Sequence, residues 1–446
     1  MSSLKIVQQR RYFSLHYHVM RFLGIGWWHH PDERDTRNFP GWYLYYSIVA
    51  MLLWVVGFVS LETADPFIGE IDMGRVMFNL SFVITHNLTI IKLYLLMSKN
   101  KKVQEIVKTI EIELHDYYQN EERNRVTVKI CKVVSSCFIC FGWLTVFNSF
   151  SYGAVQDIKW KALVKNMNDT MEKPARSLYQ TIYIPWRYEN DASYIATFIL
   201  EVVGILWNGH ILLVIDSFIA SIILHISSQF AILREAIETA FDRTMSELLE
   251  SSARGIDENL PRKNIDEIVE ENNEQTVRTF YSKKQIEAAL RKNLVSCIRQ
   301  HQVLIGCFEK FSAVYSYGFM TQLLSSTAAI CALMVQLSQD ASSFKSMKLM
   351  TSIAFFSAMI TQLAIQCITG NELTLQASLV ADSVAKCKWE RMPASLRLMM
   401  VITIVRAQRP LRLTAAGFAY MNNECFVAIM KAAYSYYAVL SQTQNV

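Results

Sequence analysis

Apolar windows of about 20 residues or more recur along this chain, separated by polar segments, at 41–61, 73–97, 128–150, 194–224, 303–338, 349–370 and 417–440. Each is long enough to cross roughly 30 Å of hydrocarbon at 1.5 Å per residue. A bilayer interior offers no water to backbone N–H and C=O groups, so windows of this length predict helices. The pattern therefore predicts an all-α membrane protein with seven transmembrane helices. A shorter apolar run at 398–405, between Arg397 and Arg406, cannot span and reads as a helix buried in protein. Helical spacing also continues past two of the windows. Ile226, Phe230, Leu233, Ile237 and Phe241 form one such row, and Ile286, Leu290, Leu294, Ile298 and His301 form another. Spans four and five are thus expected to run on as helices beyond the bilayer, with a Glu- and Asn-rich mobile loop at about 251–279 between them.

Basic residues set the expected orientation. The segment after span one holds Glu62, Asp65, Glu70 and Asp72 and no lysine or arginine, which places it outside. Lys99, Lys101, Lys102, Lys108, Arg123 and Arg125 follow span two, and Lys386, Lys388, Arg391, Arg397, Arg406, Arg409 and Arg412 precede span seven; both segments belong inside. The 151–193 loop is basic too, but it is long and carries Asn168-Asp169-Thr170, a glycosylation acceptor usable only on the outer face. The N-terminus is then inside and the C-terminus outside. This divides the chain into a cytoplasmic segment 1–40, spans one to four in 41–225, and a cytoplasmic extension and loop 226–302. Spans five and six follow in 303–370, cytoplasmic anchor helices in 371–416, and the last span with its extracellular tail in 417–446.

Composition narrows the classes. Of 446 residues 52% are hydrophobic and only 19% charged, more apolar than a soluble chain. Charges nearly cancel in the large polar segment, which excludes a nucleic-acid tail. Arginines at 10, 11, 21, 34 and 37 interrupt any apolar core of a cleavable signal peptide. The nine cysteines fall in spans or cytoplasmic segments, so no extracellular disulfide is expected. The His16/His18 and His29/His30 pairs lack clustered acids, so neither an enzyme nor a metal or cofactor site is expected.

The last window is unusual for a span because Asn422, Asn423, Glu424 and Lys431 accompany it. Such groups are costly against lipid, so this helix should face protein or water, as a conduit would require. Ala428, Ala432, Ser435, Val439 and Gln442 share one helical face. In a symmetric assembly Val439 would form an apolar ring able to gate by dewetting, with Gln442 a polar ring just beyond and Ser435 on the same line. The alternative is that Val439 faces lipid or the bundle and the small residues only permit close packing.

The residues Gln366-Cys367-Ile368-Thr369-Gly370-Asn371-Glu372-Leu373-Thr374, then Trp389, Arg409-Pro410-Leu411-Arg412-Leu413-Thr414-Ala415 and Lys431-Ala432-Ala433-Tyr434-Ser435-Tyr436 resemble the C-terminal signature of insect odorant receptors. His301, Phe311-Ser312, Gln322-Leu323 and Ser325-Ser326 are similar to that family's fifth span. The resemblance implies a tetrameric, odorant-gated, non-selective cation channel subunit in the plasma membrane of olfactory sensory neurons. It also implies a pore lined by the last span, with Val439 as gate, and cytoplasmic helices joining the subunits. The implied partners are a small volatile odorant, lipid, cations and a common co-receptor in a heterotetramer, with a homotetramer as the alternative. The chain lacks the co-receptor's closing Gln-Leu-Lys. An insect gustatory receptor would share the topology, but its Thr-Tyr and Gln-Phe signature is missing here. A G-protein-coupled receptor would have the opposite orientation, and its Asp-Arg-Tyr and Asn-Pro-x-x-Tyr motifs are missing as well.

The resemblance places the ligand in the outer half of the bundle, between spans two, three, four and six. There span two offers Phe78, Phe82 and His86; span three offers Ile139, Trp143 and Phe147. Span four offers Tyr194, Phe198, Glu201, Val202 and Ile205, and span six Ile353, Phe356 and Met359. Such a lining suits an apolar volatile. Glu201 has two readings: a hydrogen bond to a polar ligand group, or a structural acid that is protonated or paired.

Overall fold

A computed structural model describes residues 11–26, 41–68, 73–166, 176–256 apart from 177, 181 and 189, residue 277, and residues 280–340 and 347–444. Asn168 and most of the 251–279 loop lie outside these. The described chain is almost wholly helical: α1 (Ser14–Phe22), α2 (Gly41–Ile68), α3 (Met73–Ser98), α4 (Asn100–Glu111), α5 (Glu121–Lys165) and α6 (Asp191–Glu238) come first. They are followed by α7 (Ala240–Ile256), α8 (Lys283–Asp340), α9 (Met347–Ser378), α10 (Val380–Lys386), α11 (Ala394–Ala407) and α12 (Asn423–Gln444). Among the described residues α2, α3, α5, α6, α8 and α9 are long and apolar enough to cross a membrane. The seventh window is α12, whose polar residues keep it less apolar than these.

Local chemistry starts the long helices. Asn120 accepts a hydrogen bond from the N–H of Arg123 (3.0 Å) and Asn190 from that of Ser193 (2.7 Å), each ahead of an acidic first turn. Side-chain caps and acids both answer the unpaired N–H groups at a helix start. Inside α2, a π-helical stretch Met51–Gly57 interrupts the regular turn.

The spine is α6, whose Ile211, Ile215, Phe218, Ile222, Ile226, Phe230 and Leu233 are all buried, with α3, α5, α8 and α9 packed around it. Its 48 residues and the 58 of α8 would extend roughly 70 and 85 Å at 1.5 Å per residue, more than twice the hydrocarbon thickness. The rows read from the sequence at 226–241 and 286–301 are these extensions. There α10 packs on α6, and just before it His16 of α1 and the preceding Phe13 pack on Phe218 of α6.

Two expectations change. The 398–405 run is indeed helical, within α11, but it is not enclosed. Leu396, Met400, Thr403 and Ala407 are buried, whereas Leu398, Val401, Ile402 and Val405 are 53–63% exposed. An apolar residue at every position cannot be buried on one partner, since a helix offers only one face to it. The second change concerns the last window, whose first residues are not helical. Thr414–Ala415 and Ala419–Tyr420 pair as a short antiparallel hairpin, turned by Ala416 (φ 50°) and Gly417 (φ 80°), a left-handed conformation that glycine adopts without strain. Helix α12 begins at Asn423, and Asn422 Oδ1 accepts from the N–H of Cys425 (2.9 Å). Asn422 is therefore a helix cap, and Glu424 lies in the first turn beside the positive helix end.

The signature motifs seat this last helix. Ser316 on α8 donates to the Thr414 carbonyl (3.0 Å), and its own carbonyl accepts from the N–H of Ala416 (3.1 Å). At Gly370 on α9 a β-carbon would lie 2.5 Å from the Met421 carbonyl oxygen, so only glycine lets the start of α12 approach this closely.

Candidate functional site

Four helices line a cavity of about 60 Å³. Phe82, Thr85 and His86 face it from α3, and Phe141, Gly142 and Thr145 from α5. Ile205, Gly209, Leu212 and Leu213 face it from α6, and Phe355, Ala358, Met359 and Gln362 from α9. Each set recurs at three- or four-residue intervals, with the neighbouring pairs Phe141/Gly142 and Leu212/Leu213 widening the face on α5 and α6. Phe82 stacks on Phe355 with ring centres 4.5 Å apart, and the adjoining cluster of Phe58, Val59, Tyr152, Tyr179 and Ile182 closes that end. His86 Nδ1 lies 2.7 Å from Glu62 Oε2 on α2, with both residues buried.

Of the residues named from the sequence, Phe82, His86, Ile205 and Met359 meet at this cavity. The side chain of Phe78 lies outside the described residues. Trp143 and Phe147 turn away from it, 56% and 69% exposed, and Ile353 is 43% exposed. The buried face of α5 is instead Cys131, Ser135, Phe138, Gly142, Ser149 and Tyr152. Lipid is as apolar as a core, so large rings are free to face outward while small and polar residues hold the helix contact. Ile139, Val202 and Phe356 are half-buried outside the cavity wall, and Tyr194 and Phe198 stack on each other beyond it. Arg176 joins that cluster, its guanidinium 3.9 Å from the Trp160 ring centre and 4.8 Å from that of Tyr194, and ion-pairs with Asp191. Glu201, fully buried, accepts from the backbone N–H of Gln180 and so ties the 176–190 loop to α6.

Sequence spacing missed Phe141, Leu212, Leu213 and Phe355, which nothing local sets apart from other apolar span residues, and also Thr85, Thr145, Gly142, Gly209, Ala358 and Gln362. For the latter six the available signal was small size or polarity within otherwise apolar windows.

Directly beneath, Lys92 on α3 donates to Asp216 on α6 and to Gln322 on α8. Asp216 also accepts from Gln362 and from Gln366 on α9, the latter at 3.0 Å, while Gln322 donates to Ser326 (2.7 Å). All of these side chains are at least 96% buried. The network joins four spans, and Gln362 belongs to both the network and the cavity wall.

Helix α12 packs on α8 and α9 through Phe426, Ile429, Met430 and Ala433. Ala428, Ser435 and Val439 (61% exposed) lie on the free side, with Ala432 half-buried beside them. Lys431 is exposed as well. The side chain of Gln442 lies outside the described residues. Tyr434 is 62% exposed.

The family model described as 7tm Odorant receptor matches residues 72–434. Odorant receptor 2a of Drosophila melanogaster is 25% identical over 149 residues, covering 33% of this chain and 38% of that protein. The Odorant receptor coreceptor of Aedes aegypti is 22% identical over 162 residues, covering 36% of this chain and 33% of that one. The chain thus aligns with about two-fifths or less of the length of these relatives. In fold it is similar over its whole length to the insect olfactory receptor OR5 of Machilis hrabei in complex with eugenol. That match has a TM-score of 0.75 at 14% identity, covering 98% of this chain and 99% of that one.

Proposed function

This chain belongs to the odorant receptor family, and from that premise we propose that it is an odorant-binding subunit of a ligand-gated, non-selective cation channel. It works as a tetramer in the plasma membrane of olfactory sensory neurons, with its N-terminus inside, and assembles with a common co-receptor. The observation that carries this reading is the mostly apolar cavity between α3, α5, α6 and α9. An aromatic and aliphatic lining with few polar groups suits a small volatile molecule. The Machilis receptor's complex with eugenol supports a small organic ligand, and the likeness to the Aedes co-receptor supports assembly with such a chain.

The free space is less than half of the ~150 Å³ cavity that takes a benzene-sized guest. A ligand must therefore push the wall side chains apart, favouring whichever bundle arrangement has more room. Gln362 passes that displacement to the Asp216 network, and α8, a member of it, also packs against α12. The exposed line of Ala428, Ser435 and Val439 then faces the central pore, with Val439 its apolar constriction and Gln442 next to it.

Current recorded from cells expressing the chain with and without an insect co-receptor, under a panel of volatiles, tests this reading. Val439→Asn should raise current in the absence of ligand at matched surface expression, because a polar ring stays wet. Silence to every volatile, or unchanged basal current and permeability in both Val439→Asn and Gln442→Ala, would refute the channel reading or this pore face respectively.

A further inference from the structure

The polar groups around the cavity, Gln362 apart, have one property in common: their donors are already committed. Thr85 Oγ1 donates to the carbonyls of Ser81 (3.0 Å) and Phe82 (2.9 Å) in its own helix, and Thr145 Oγ1 to that of Phe141 (3.0 Å). A hydroxyl has one proton, so both present only lone pairs to the cavity. His86 Nδ1 donates to Glu62 Oε2 (2.7 Å), and in the tautomer this carboxylate orients, Nε2 is the lone-pair nitrogen. Nε2 makes no hydrogen bond among the described residues. Gln362 turns its amide nitrogen to the Asp216 carboxylate, leaving its carbonyl oxygen and one N–H. His210 repeats the pattern behind the wall. Its Nδ1 is 2.8 Å from the Leu206 carbonyl oxygen, and its Nε2 is buried without a partner at the spot where a β-carbon on the lining residue Gly142 would meet it at 2.8 Å.

We propose that this cavity selects ligands that donate a hydrogen bond, such as alcohols and phenols, over carbonyl and ether analogues of the same shape. The inference rests on the reading of the cavity as the odorant site and names the ligand class that site takes. An alcohol satisfies Nε2 of His86 or a threonine oxygen at no cost to an existing bond. An aldehyde or ether brings only lone pairs to a wall of lone pairs, and Gln362 alone has a spare N–H to offer. A site built to accept from a hydroxyl discriminates through the group it would otherwise leave unpaired.

The test uses the full chain with an insect co-receptor and three skeletons, hexyl, octyl and benzyl, each as alcohol, aldehyde and methyl ether. Two measurements are made: the half-maximal concentration for current, and ligand-induced thermal stabilisation of the purified complex. In each responsive skeleton the alcohol should be about tenfold more potent, the effect of one net hydrogen bond. Thr145→Val and Thr85→Val, which keep shape and remove an acceptor, should reduce that ratio, and His86→Phe should reduce it further. Because His86→Phe strips Glu62 of its partner, the isosteric threonine variants decide the matter if that variant does not reach the surface. Aldehydes or ethers as potent as the alcohol, or an undiminished preference in both valine variants, would overturn the selectivity. Stabilisation without current would count against the channel reading and leave selectivity to be judged on binding. Neither stabilisation nor current for any skeleton would overturn both.

Discussion

The ion pair of Lys92 with Asp216 sets up a double-substitution cycle whose outcome follows from the hydrogen-bond inventory. Lys92→Met leaves the Asp216 carboxylate buried with two amide donors, Gln362 and Gln366, and no cation. Asp216→Asn leaves the Lys92 ammonium buried with only neutral oxygens, those of Gln322 and the new amide. Breaking a buried pair on one side costs about 3–5 kcal/mol, and the surviving hydrogen bonds put each variant near the lower figure. With an unfolding entropy of about 2 cal/mol/K per residue over 446 residues, 3 kcal/mol lowers the melting midpoint by about 3 °C. The double variant carries neither charge. The amide that replaces the Asp216 carboxylate still accepts from a glutamine through its oxygen, and its nitrogen can donate to Gln366 Oε1, which has no partner now. The double variant should be more stable than either single one, with a coupling of about 2 kcal/mol or more. Melting of the purified complex by intrinsic fluorescence, together with the fraction reaching the cell surface, measures all four corners. If the double variant loses the sum of the two single losses, the two charges do not act on one another and the network is not a unit.

The other outcomes are more local. Ile402→Glu puts a charge on the exposed apolar face of α11, so the chain should fold as before while the proposed tetramer is lost on native gels or by size exclusion. Intact tetramers would remove α11 from the subunit contact. Burial, reinforced by the Glu390 charge, pushes the Cys387 thiol up to about 11. Only the thiolate reacts, so Cys387 should resist iodoacetamide from pH 7 to 9 in the folded protein and label on unfolding, when its pKa falls back to the ordinary thiol range. Peptide mass mapping would contradict this if native labelling rises through pH 8–9 as for an open thiol.

The chain by itself determined what depends on neighbours in sequence. Windows of sufficient length and low charge located the spans, and three- and four-residue spacing extended α6 and α8 beyond them, because both signals are written within a few helical turns. The closing motifs, similarly, pointed to the family from their order alone. Tertiary structure decided the faces. On α5 the choice between Trp143–Phe147 and Gly142–Thr145 is not readable from hydrophobicity, since lipid accepts the large rings as readily as a core does. It also decided partnerships across the chain. Lys92 and Asp216 stand 124 positions apart, and nothing local to either indicates that one supplies the other's counter-charge. The hairpin before α12 was hidden for the same reason. Gly417 can adopt either sign of φ, and it is the docking of Thr414 and Ala416 on Ser316, a hundred residues earlier, that selects the turn over another helical one.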